Sequence, residues 1–80
     1  MAKFVVKAFG ITKDIMGARE NLFEMDGETV GSLRVALKHR YPSLLKINSL
    51  MIAVNNTYAE DHTSICESDE IALIPPVSGG

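Results

Sequence analysis

Apolar and polar residues alternate over residues 3–9, with Phe4, Val6 and Ala8 on one side and Val5, Lys7 and Phe9 on the other. A period of two, rich in β-branched and aromatic residues, predicts a strand. Ile11–Met16 predicts one or two helical turns closed by Gly17. Residues 21–25 predict a second short strand, ended by the turn dipeptide Asp26-Gly27. The period then changes. Val30, Leu33, Leu37 and Tyr41 fall at i, i+3, i+7 and i+11, the apolar stripe of a helix, with Arg34, Lys38 and Arg40 mainly off it. Thr29 is its expected N-cap, and Pro42 stops it by disfavouring helical geometry at Tyr41. Residues 50–54 predict a buried strand, Asn55-Asn56 a tight turn, and 57–60 a brief returning strand. After the polar turn Glu67-Ser68-Asp69, Glu70–Ile74 predicts the last strand, with Ile71 and Leu73 toward the helix and Ala72 and Ile74 outward. Pro75-Pro76 ends pairing, since neither residue donates a ladder hydrogen bond. The order β-β-α-β-β-β implies an α+β domain, one mixed sheet of about five strands packed on one main helix.

Composition narrows the functional classes. The chain has 80 residues, enough for one domain with a small core and little room for a deep pocket of its own. A stand-alone enzyme is disfavoured. No apolar run approaches the roughly 20 residues of a membrane span, and the N-terminus lacks a signal peptide, so a cytoplasmic location is expected. One cysteine, Cys66, forbids an intrachain disulfide; with His39 and His62 it makes no metal cluster and no nucleophile–base pair. Cys66, flanked by Ile65, is expected as a buried structural thiol. Asp61 and His62 are expected to order their loop, without a catalytic role. Asn55-Asn56-Thr57 fits a glycosylation sequon but reads as a turn.

Charge is unevenly placed. Residues 1–46 hold all eight Lys and Arg and five of the ten acidic residues, a balance of +3, while residues 47–80 hold the other five and no Lys or Arg, −5. No basic stripe for nucleic acid emerges. The acidic half is either an ordinary solvated surface or a face that docks on a basic partner.

The chain closes on Pro75-Pro76-Val77-Ser78-Gly79-Gly80. At about 7% glycine usage, a terminal Gly-Gly arises by chance in roughly 0.5% of chains. Two residues without Cβ can thread a narrow channel and bring backbone close to a reacting centre. Two prolines stiffen the stem, and six extended residues reach roughly 20 Å at most. The chain therefore divides into a body, residues 1–74, and an arm, residues 75–80, able to enter a partner's active site.

The run from Asp69 to Gly80 resembles the C-terminus of the molybdopterin synthase small-subunit family, the sulfur carriers among ubiquitin-like proteins. Ala53-Val54-Asn55-Asn56-Thr57 with Asp61-His62, and the passage from Phe9 to Gly17, are similar to that family too. The resemblance implies a β-grasp fold with a flexible Gly-Gly tail and no permanently bound cofactor. It further implies that an E1-like adenylyltransferase, consuming ATP, adenylates the carboxylate of Gly80, and that a sulfur donor converts it to a thiocarboxylate. Gly79 and Gly80 are then the reacting end, and Pro75, Pro76, Val77 and Ser78 enter the large subunit of the synthase. There the sulfur passes to cyclic pyranopterin monophosphate to build molybdopterin, in a heterotetramer of two large and two small subunits. Phe9, Tyr58 and Ile74 match subunit-contact positions of the family, where the residue at 74 is often Phe. Two other readings use the same tail, a ubiquitin-like modifier of lysines and a carrier for thiamine synthesis. A plain interaction module with a coincidental Gly-Gly end is the third.

Overall fold

A computed structural model describes residues 2–47 and 50–75. Five strands form one sheet in the order β2-β1-β5-β3-β4, with β1 Ala2–Ala8, β2 Glu20–Met25, β3 Met51–Val54, β4 Thr57–Tyr58 and β5 Glu70–Ile74. β1 and β5 run parallel at the centre, and the other three pairings are antiparallel. Two helices, α1 Ile11–Met16 and α2 Val30–Arg40, complete the expected elements.

Alternation decides what the sheet buries. Phe4, Val6 and Ala8 of β1 and Ile71 and Leu73 of β5 are buried, together with Ile52 of β3. They form one cluster with Val30, Leu33 and Leu37, the apolar stripe of α2. Thr29 caps α2 as expected, its Oγ1 accepting from the Ser32 N–H at 3.1 Å. The other free amides of the first turn are taken by the 61–65 loop: Val30 N–H donates to Thr63 O at 2.9 Å and Gly31 N–H to Asp61 O at 2.8 Å. Gly31 permits that approach, since a Cβ there would lie 3.1 Å from Asp61 O. Arg34 then ties the same loop to the start of β3, reaching Asp61 Oδ1 at 3.1 Å and Leu50 O at 2.5 Å. Asp61 thus orders its loop, and His62 sits exposed with Nδ1 3.4 Å from Glu60 Oε2.

The remaining differences from the sequence reading have local causes. The first strand spans Ala2–Ala8 and not 3–9, because Phe9 leaves the ladder for the turn into α1. The second starts at Glu20, where the pairing of Lys7 with Glu20 closes the hairpin register. The third strand starts at Met51, opposite Ile74, with Leu50 buried just before it. The return strand is only Thr57–Tyr58, continued by one Ala59 N–H to Ile52 O bond before the chain turns toward α2. Pro42 both ends α2 and opens a 3₁₀ turn, Pro42–Lys46, which alternation does not signal; its Leu44 is fully buried. Cys66 is exposed, correcting the expectation of a buried thiol. Ile65 takes the inward position, while Cys66 opens a turn in which Asp69 accepts its N–H at 2.8 Å.

Candidate functional site

The face of the sheet opposite α2 carries a groove of about 320 Å³, lined by Lys7, Phe9, Ala53, Asn56, Tyr58, Glu70, Ala72 and Ile74. Strand register builds it. Tyr58 pairs with Ala53, Ala53 with Ala72, and Ala72 with Lys7, so one row crosses four strands. The two alanines form a low floor, and larger side chains rise at the ends. Ala53 is buried there although it lies on the face away from the helix. Phe9 and Tyr58 remain 43% and 63% exposed, and Ile74 half-buried. Large apolar groups are thus left uncovered around one depression. One ion pair marks its rim, Lys7 Nζ to Glu70 Oε2 at 3.2 Å.

Each wall is held by its own local chemistry. Tyr58 follows the two-residue turn Asn55-Asn56, both at positive φ (52° and 68°), the conformation that matches a hairpin's twist. The Asn55 side chain locks that turn to the start of β5: its Nδ2 donates to Asp69 Oδ1 at 3.0 Å and its Oδ1 accepts from Glu70 N–H at 2.9 Å. Hydrogen bonds from the Cys66 N–H and the Asn55 amide hold the Asp69 carboxyl below its usual range, because they favour the charged form. Phe9 is held by Thr12, a fully buried polar residue of α1. Thr12 Oγ1 accepts from Phe9 N–H at 2.8 Å and donates to Phe9 O at 2.6 Å.

The arm begins beside this groove. Pro75 follows Ile74 and is half-buried, and a Cβ built on Gly10 would lie 3.5 Å from Pro75 Cγ. Gly10 holds φ 56° and ψ −130°, a region open to glycine and costly for other residues. Of the predicted site residues, Phe9, Tyr58 and Ile74 line the groove, and Pro75 follows directly after Ile74. Pro76, Val77, Ser78, Gly79 and Gly80 lie outside the described residues. Sequence reasoning had Ala72 outward and Lys7 on the side of Phe9 without assigning either to the site, and missed Ala53, Glu70, Asn56, Gly10 and Thr12. The signal for the alanines was available, small residues at outward positions of strands whose neighbours are bulky. Among the described residues no group of three or more His, Cys, Asp or Glu could hold a metal ion, and no helix is long and apolar enough to cross a membrane.

Comparison with known proteins places this geometry. The sulfur carrier subunit of molybdopterin synthase from Caenorhabditis briggsae is 38% identical over 84 residues, covering all of both chains. SAMP1 of Haloferax volcanii, a small archaeal modifier protein, superposes with a TM-score of 0.81 at 28% identity, over 99% of this chain and 100% of its own. One chain of the complex of subunits 1 and 2 of the molybdopterin-converting factor from Helicobacter pylori matches with a TM-score of 0.67 at 25% identity, covering 98% of this chain and 99% of its own. These neighbours share the ubiquitin-like β-grasp fold, as the family resemblance implied, and the mixed sheet on one main helix is the one the element order predicts. The sequence pattern of the ThiS family matches residues 6–80. With the family pattern and full-length relatives in agreement, the chain belongs to the ThiS family.

Proposed function

We propose that this chain is the sulfur carrier subunit of a molybdopterin synthase, a co-substrate whose catalytic pockets belong to larger partners. The observation that carries the reading is the apolar groove of Phe9, Tyr58 and Ile74 at the root of an arm that ends in Gly79-Gly80. The full-length similarity to carrier subunits supports the pathway. The Helicobacter pylori complex supports a large-subunit partner.

The chemistry follows from the tail. A free carboxylate is a poor acceptor, so the Gly80 carboxylate is adenylated by an E1-like enzyme at the expense of ATP. Attack of hydrosulfide supplied by the sulfur donor, a sulfurtransferase, forms the C–S bond, expels AMP and leaves a thiocarboxylate, a polarisable nucleophile at the end of a thin arm. Gly79 and Gly80 admit that end to a narrow channel, and Pro75, Pro76, Val77 and Ser78 span the distance from the groove to the partner's pocket. There the sulfur passes to cyclic pyranopterin monophosphate. The body, residues 1–74, stays outside, docked through Phe9, Tyr58 and Ile74 on the large subunit in a heterotetramer. A cytoplasmic location is part of this reading, since the activation step needs ATP.

Intact-mass measurement after incubation with the activating enzyme, ATP and a sulfur source tests this reading. Replacement of one terminal oxygen by sulfur is expected. High-mass adducts on lysines would favour the modifier reading, which the similarity to SAMP1 motivates. An unchanged mass would overturn both. Genetic loss of molybdoenzyme activity, restored by this chain, separates the molybdopterin pathway from thiamine synthesis.

A further inference from the structure

We infer that Thr12 is a positioning residue for the docking groove, acting through the backbone of Phe9; the inference rests on the functional reading above. Phe9 is the first residue beyond β1, so the sheet ladder no longer holds its backbone polar groups. The Thr12 hydroxyl replaces the ladder at both, accepting the Phe9 N–H at 2.8 Å and donating to the Phe9 carbonyl at 2.6 Å. The Thr12 N–H adds a bond to the same carbonyl at 3.1 Å. Thr12 is itself fully buried, so the clamp is shielded from water on its Thr12 side. Its effect is to prolong the alternation of β1 by one residue without a strand partner. Phe9 therefore keeps the outward direction of Val5 and Lys7, and its ring reaches the groove beside Ile74. The same short turn carries Gly10 past Pro75, the root of the arm. One buried hydroxyl thus fixes an exposed aromatic anchor at the point where the arm departs, and lowers the ordering cost of docking.

The test is a binding cycle with the full chain and the large synthase subunit. Thr12→Val is expected to weaken the complex about tenfold, and Thr12→Ser, which restores the hydroxyl, to bind within about twofold of wild type. In a Phe9→Ala background, Thr12→Val should change affinity by less than about twofold, because its route to the groove is gone. Wild-type affinity in a folded Thr12→Val protein, or an equal loss in the Phe9→Ala background, would overturn the inference. If Thr12→Val does not fold, Thr12→Ala takes its place in the same cycle. Failure of both to fold makes Thr12 a stability residue and overturns the inference too. The functional reading is judged on the wild type alone: with no binding and no sulfur loading it fails, and the inference with it.

Discussion

The two faces of the sheet are built from alternate residues of the same strands, yet they have opposite fates. On one face Phe4, Val6, Ile52, Ile71 and Leu73 are covered by α2 and the 3₁₀ turn. On the other, Ala53 and Ala72 leave a hollow that Phe9, Tyr58 and Ile74 border without filling. In β5 the two regimes are one residue apart, with Leu73 fully buried and Ile74 half-buried at the groove. Hydrophobicity does not distinguish them, since Leu and Ile are equally apolar. What differs is whether the chain brings its own cover. The covered face stabilises the domain, and the uncovered one leaves apolar area exposed.

That contrast can be broken, or sharpened, by substitution. The largest effect is expected beyond both faces, at Gly79. Gly79→Val should abolish thiocarboxylation, because a branched side chain does not pass a channel sized for glycine, while the thermal midpoint stays that of wild type. Sulfur loading followed by mass and unfolding by circular dichroism check both halves. Next, Leu73→Ala should cost about 2–5 kcal/mol of stability in denaturant melts, the usual loss for a buried leucine. Its neighbour Ile74→Ala should do the reverse. We expect about 1–2 kcal/mol of affinity for the large subunit to be lost, with stability changed by less than about 1 kcal/mol. Equal stability losses at 73 and 74 would erase the distinction between the faces.

The smallest effect concerns pH. The Asp69 carboxyl is held low by the Cys66 N–H and the Asn55 amide, so its folded pKa lies under its unfolded one. Its contribution is then complete above the unfolded carboxylate pKa near 3.8, and lost as pH falls through the lower folded value. Asp69→Asn should flatten the acid limb of a stability–pH profile slightly, lowering stability a little at neutral pH and converging with wild type in acid, where the contribution is already lost. The residue is exposed, so the effect is modest. The pH change should be read at the Asn55–Asn56 turn, beside Tyr58.

Much of the architecture was legible in the chain. The period of two in 3–9 and in Glu70–Ile74, the stripe at Val30, Leu33 and Leu37, the Thr29 cap and the Asn55-Asn56 turn are all local in origin. Phe9 and Ile74 could be named as outward apolar residues for the same reason, and Tyr58 through the family resemblance. Strand ends were less legible, because a ladder stops where partners diverge and not where composition changes. The 3₁₀ turn at Pro42–Lys46, the exposure of Cys66 and the contact of Gly31 with the 61–65 loop left no periodic trace.

Sequence by itself determined the five strands and two α-helices, the inward or outward direction of most residues in them, and the Gly79-Gly80 ending of the arm. Only the tertiary structure decided that β5 lies between β1 and β3, and so that Phe9, Tyr58 and Ile74, far apart in the chain, border one groove at the root of that arm. The physical reason is range. Alternation, capping and turn preference act between residues a few positions apart. The row from Tyr58 through Ala53 and Ala72 to Lys7 exists only once backbone hydrogen bonds set four strands in register.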